Sequence, residues 1–175
     1  VAVMSKDFKD NIIPLLPVDE QKYYHKVTFF WGNPLEIIDK LSSYTKHEEL
    51  QKEMFPFVGL YNDISISRGK YGDYDGTTLE LIICNATDPN FDSETRELKN
   101  FRPILRKLYA KFFKELSNSP MFDITDAKVD MKHEATERYF WGKQGLYGSD
   151  GSLFNDYLDA IHVRRLELRL PNIIC

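Results

Sequence analysis

Three groups of residues in this 175-residue chain have types and spacings that could support chemistry. His133-Glu134-x-x-Glu137 puts an imidazole and two carboxylates within five positions, which resembles part of a zinc-binding helix. The second histidine of such a helix is absent, and the alternation around it favours strand or loop, so solvated charge is the better reading. Asp75 and Glu80 flank Thr78 to Ile83 in the manner of the acidic pair of a magnesium-dependent nuclease, whose hard oxygen ligands would hold the metal beside a scissile phosphate. Position 82, where such a nuclease carries lysine, is Ile, and a turn aspartate with an outward strand glutamate accounts for both acids. His25, His47 and His162 are scattered with no Ser or Cys nucleophile signature beside them, which suits surface or strand-edge roles. Gly69, Gly72 and Gly76 precede a strand rather than a helix, unlike a phosphate-binding loop. No catalytic, metal or cofactor site is therefore expected.

Aromatic and charged residues displayed on loops carry more information. RGKYGDYDG sets Arg68, Lys70, Tyr71, Asp73 and Tyr74 at one turn, and a later Gly-rich loop displays Trp141 and Tyr147. Such residues are enriched where proteins meet proteins, because they contribute large contact area with few rotors. A mobile hairpin tip is the plainer alternative. FFWG at 29–32 and YFWG at 139–142 are too short to mark a duplication.

The net charge of −4, with both signs interspersed, argues against a dedicated nucleic-acid binder, which needs a basic excess to displace counterions from phosphates. The two cysteines, one in an apolar strand and one at the last position, make no disulfide framework and point to a reducing compartment. No stretch reaches the roughly 20 apolar residues of a membrane helix, and the first residues lack a signal-peptide core, so a soluble protein made in a cytoplasm is expected. The length suits one domain, 1–175, with a loop-rich insertion at about 121–152.

The elements centre on residues 55–88. Segments 57–66 and 77–86 are rich in β-branched and aromatic residues and are separated by Gly, Asp and Tyr, which predicts a hairpin with Ser67 to Gly76 as its loop. In the second arm Leu79, Leu81 and Ile83 point one way and Ile82, Cys84 and Ala86 the other, as in a central strand covered on both faces. A helix capped by Ser5 would bury Phe8, Ile12 and Leu15, ahead of a connector over Pro17 to Lys22. Val27 to Trp31 alternates as a strand. Asn33 and Pro34 start a helix with Leu35, Ile38 and Leu41 inward, and Thr45 with Glu48 could cap another running to Met54. Leu98, Phe101, Leu105, Leu108, Phe112 and Leu116 mark a long helix over about 93–117, with a kink or break expected near Asn100 because Pro103 lacks an N–H. Val129, Met131 and His133 suggest an edge strand, and Ser152 a capped turn holding Phe154, Tyr157 and Leu158. In the last strand Ile161 and Val163 differ in parity from Leu166, Leu168 and Leu170, so a β-bulge at Arg164–Arg165 is expected to keep all five on the core face. The fold class is α+β: a small, mixed, mainly antiparallel sheet packed by the long helix and shorter N-terminal helices.

This order of elements, with the phrases FRPILRKLY and FNDYLDAIHVRRLELRL, resembles the tail terminator (tail completion, head–tail joining) proteins of long-tailed bacteriophages and prophages, of a type associated with Bacteroidetes hosts. The resemblance implies a non-enzymatic virion protein of the tail, made in the bacterial host cytoplasm. It would need no cofactor and would assemble as a ring, usually a hexamer, on the head-proximal end of the tail tube. Its partners would be further copies of itself, the tail-tube protein and the head connector, with no membrane and no specific nucleic acid. Another connector or head-completion protein is the neighbouring alternative, and a magnesium-dependent nuclease the enzymatic one.

Overall fold

The computed structural model describes residues 2–22, 24–45, 54–61, 64–68, 75–122, 124, 131–138 and 157–170. Its centre is a six-stranded sheet built from β1 (Thr28–Gly32), β2 (Phe57–Tyr61), β3 (Ser65–Arg68), β4 (Asp75–Ala86), β5 (Glu134–Arg138) and β6 (Leu158–Leu170). The spatial order is β1-β2-β4-β6-β5, with β3 continuing the β2 side of β4. β1 and β2 are parallel and every other pair is antiparallel.

The expected hairpin is present with two differences. Leu60 faces Leu81 and Ser65 faces Thr78, so the first arm divides into β2 and β3, and residues 62 and 63 lie outside the described residues. The ladder also runs on to Ser67↔Gly76 and Arg68↔Asp75, residues expected in the loop. The reason lies on the far side of β4, where β6 pairs along its whole length and holds even Asp75 against Leu170.

Both faces of β4 are covered. Leu81 and Ile83 pack with Phe101, Ile104, Leu105 and Leu108, with Leu79 and Phe112 at the rim of the same cluster. Ile82 and Cys84 pack on the opposite side with Phe57, Ile37, Ile38 and Leu41. Gly59 lets the second layer approach closely, since a Cβ there would lie 2.9 Å from Phe57 Cε1 and 3.1 Å from Ile82 Cγ2. The bulge in β6 also forms. Leu79 faces Leu166 but Leu81 faces Val163, so Arg164 and Arg165 oppose Glu80 alone. Arg165 takes φ 53°, and Ile161, Val163, Leu166 and Leu168 all reach the core.

On the first face lie the N-terminal and long helices. α1 (Ala2–Asp7) continues as a π-helical turn (Phe8–Ile12) and a 3-10 turn (Ile13–Leu15), burying Phe8 and Ile12. Leu15 is exposed and Leu16 takes the inward place, because the chain changes pitch ahead of Pro14. Ser5 is no cap: its hydroxyl donates to Val27 O and accepts from Val27 N, tying the helix to the chain entering β1. Within the expected connector, Val18–Gln21 forms a short α2.

On the second face lies α3 (Pro34–Thr45), whose start is a reciprocal capping box: Asn33 Oδ1 accepts from Glu36 N, and Glu36 Oε2 from Asn33 N, both at 2.9 Å. Ile37, Ile38 and Leu41 are buried, whereas Leu35 is exposed. Thr45 is the last residue of α3, Met54 is helical, and residues 46–53, over which the second helix was expected, lie outside the described residues.

The long helix consists of α4 (Ser93–Arg96), a π-helical stretch (Glu97–Leu105) and α5 (Arg106–Ser117). Asp92 caps it through Thr95 N at 2.8 Å. Pro103 does not break it. Around Pro103 the helix takes the wider turn, in which Arg106 N–H bonds Phe101 O, five residues back. That widening alters the phase at the start of the stretch, where Leu98 is exposed, while Ile104, three residues after Phe101 and four before Leu108, is buried. The edge strand expected around Val129 to His133 lies instead at Glu134–Arg138: Met131 is buried ahead of it, and Val129 lies outside the described residues. Leu158 opens β6 rather than closing a turn, and Ser152 and Phe154 lie outside the described residues.

Candidate functional site: two sheet edges and a half-buried polar cluster

The sheet ends in two chemically different strands. Among the described residues no strand pairs with the outer side of β1 or of β5. β1 reads TFFWG, and its alternation sends Phe29 and Trp31 to one face, where they are 39% and 62% exposed. Phe30 points to the other face, packs on the α3 cluster and carries Lys40 Nζ 5.1 Å above its ring. β5 reads EATER and is fixed by arginines. Arg106 reaches from α5 to Glu137, with Nε 2.6 Å from Oε1 and Nη2 2.9 Å from Oε2, and also grips Glu97. Arg165 Nη1 donates to Glu134 Oε1 at 2.9 Å. The strand edge is therefore a row of charge held in place.

Inside the second face, between β2, β4, β5 and β6, lies a half-buried cluster of Tyr61, Glu80, Arg138, His162 and Arg164. His162 Nε2 is 2.6 Å from Glu80 Oε1, and the Tyr61 ring stands edge-on to the imidazole at 6.1 Å. Burial holds the His162 pKa below the usual histidine value, with Arg138 and Arg164 adding to it and Glu80 opposing. Burial, aided by Glu80, raises the Tyr61 phenol well above its usual range, so it stays protonated. Burial likewise pushes up the Cys84 thiol, which makes it a poor nucleophile.

A third polar group ties layers together. Arg96 Nη1 donates to Asp159 Oδ1 at 2.8 Å, Asn100 Nδ2 donates to Asp159 Oδ2 at 2.9 Å, and Asn85 Nδ2 donates to Asn100 Oδ1 at 2.8 Å and to the Tyr24 hydroxyl at 3.1 Å. Arg96 also caps the carbonyls of Phe91 and Asp88. Its geometry is that of a clasp between the long helix and the sheet. No sequence motif marked it.

The candidates read from sequence fall as follows. Arg68 is the last residue of β3, opposite Asp75. Lys70, Tyr71, Asp73, Tyr74, Trp141 and Tyr147 lie outside the described residues, as does His47. His133, Glu134 and Glu137 do not converge: Glu134 and Glu137 serve the two arginines, and His133 Nδ1 donates to Met131 O while Nε2 accepts from the Tyr109 hydroxyl. Among the described residues no three His, Cys, Asp or Glu side chains could hold a metal ion. Glu80, half of the proposed acidic pair, is engaged by His162. His25 is exposed. No described helix is long and apolar enough to cross a membrane. No protein-family model matches the chain, and a search of curated proteins finds no match.

Proposed function

We propose that the protein is a ring-forming tail terminator of a long-tailed bacteriophage or prophage, acting through its surfaces. One observation carries the reading: the two terminal strands of the sheet run in opposite directions. From the pairing, β1 and β2 run one way, β4 the other, β6 back again and β5 opposite to it, so β5 is antiparallel to β1. A neighbour related by rotation about an axis along the strands thus brings its β5 antiparallel to β1, with the helical layers on matching sides. Such a head-to-tail contact joins one patch to a different patch and closes into a ring when the rotation divides the full turn. The exposed Phe29 and Trp31 give the β1 side apolar area to bury.

The resemblance of FRPILRKLY and FNDYLDAIHVRRLELRL to tail terminators supplies the rest: a ring, hexameric in that family, on the tube end, meeting the tail-tube protein and then the head connector. The experiment is to add the protein to growing tail tubes and image them. Capped tubes of defined length with density at one end support the reading. Unchanged tubes refute it, and density on the connector alone reassigns the protein to another head–tail joining role.

A further inference from the structure

His162 lies midway along β6, opposite Ile82 of β4 on one side and Thr136 of β5 on the other. A carboxylate only accepts, so the 2.6 Å contact with Glu80 Oε1 fixes the ring proton on Nε2. In the neutral ring Nδ1 is then a bare acceptor, and it is buried with no hydrogen-bond partner among the described residues. Among the described residues, the charged and titratable groups around it are Glu80 from β4, Tyr61 from β2, Arg138 from β5 and Arg164 from β6 itself. Glu134, opposite Arg164, is engaged by Arg165. A second proton on the imidazole must enter at Nδ1. There it makes a buried N–H with no acceptor among the described residues, in the field of the Arg138 and Arg164 guanidinium groups and the Glu80 carboxylate.

The location gives this a structural consequence. Immediately after His162 and Val163 the β4–β6 ladder slips, with Arg165 at φ 53°. The cross-strand bond from His162 to Glu80 spans the slip from the side chains, since Glu80 is the residue opposed by the bulge. We propose that the buried Nδ1 of His162 makes the central β4–β6 seam acid-sensitive: the Nε2–H bond to Glu80 is kept in both protonation states, and a proton on Nδ1 loosens residues 162–166 because it buries a charged ring with an unanswered N–H.

The direction in which His162 titrates agrees with the geometry. A histidine with a depressed folded pKa contributes stability that is complete above the unfolded value of about 6.5 and is lost as pH falls below it towards the folded value.

Amide hydrogen exchange across about pH 8 to pH 5, divided by intrinsic rates, tests this acid sensitivity. Protection of 162–166 in the wild-type protein is expected to fall below about pH 6.5 relative to the β2–β4 pairs. His162→Gln should flatten that fall. Glu80→Gln keeps an acceptor for Nε2 but removes the charge that favours protonation, so the fall should deepen. Arg164→Gln removes an opposing charge, so it should shrink. Should His162→Gln not fold, the opposite responses of the other two variants still decide the matter. Parallel curves for wild type, Glu80→Gln and Arg164→Gln, or protection that rises in acid, would overturn the proposal.

Discussion

Asp159 is fully buried, and each of its carboxylate oxygens is answered, one by Arg96 and one by Asn100. Breaking such a pair from one side is costly, because the remaining charge stays in a poorly solvating interior. Asp159→Ala is therefore expected to lower stability by about 3–5 kcal/mol, read as a shift of the urea midpoint at neutral pH. A change below about 1 kcal/mol would mean that Arg96 finds water, contrary to its 2% side-chain exposure. Gly59→Ala is a second residue-scale case. The added methyl meets Phe57, Ile82 and Ile37 at once, so overpacking of about 1–3 kcal/mol is expected from thermal denaturation. Neither site was legible in the sequence. Arg96 and Asp159 are 63 positions apart, and their meeting depends on how the long helix lies on the sheet. One local trace did exist: Arg96 and Asn100 share a helical face at i, i+4.

At the scale of elements, the bulge in β6 was legible because it leaves a mark in one dimension. A change of parity within an apolar strand demands one extra residue if both sets are to stay inside. Arg165 occupies the left-handed region, which most side chains adopt at a cost of roughly 1–2 kcal/mol. Arg165→Gly is therefore expected to be neutral within about 1 kcal/mol in urea denaturation, the relieved backbone offsetting the unfolded-state entropy and the lost contact with Glu134. Deleting Arg165 is a different matter, since Leu166 and Leu168 would turn to the other face, and loss of cooperative unfolding is expected. The π-helical stretch was not legible in the same way. A 3.6-residue period placed Leu98 inward, whereas at the start of the wider stretch Glu97–Leu105 it is exposed. Within that helix Leu108 is completely buried against the β4 side chains. Leu108→Ala should cost about 2–5 kcal/mol in the same assay, through lost burial and the cavity left behind.

At the scale of the whole molecule, the two sheet edges decide how copies can meet, and a substitution can address one edge alone. Phe29 and Trp31 are exposed, so replacing both by Lys should leave the subunit's denaturation midpoint within about 1 kcal/mol of wild type. Lysine on an edge strand opposes pairing with another strand, because its charge would have to leave water. The β1 edge is then closed while Glu134–Arg138 is untouched. In a head-to-tail ring such a subunit still joins a neighbour through β5 but offers nothing to the next. The double variant is therefore expected to fail at capping tail tubes by itself and to poison capping when mixed with wild-type protein, since one defective member opens the ring. A two-fold contact of β1 with β1 would behave otherwise: the variant would be left out of the assembly, and wild-type protein would cap tubes unhindered. Imaging tubes over a range of variant to wild-type ratios separates the two, and undiminished capping in the mixtures would exclude the head-to-tail arrangement.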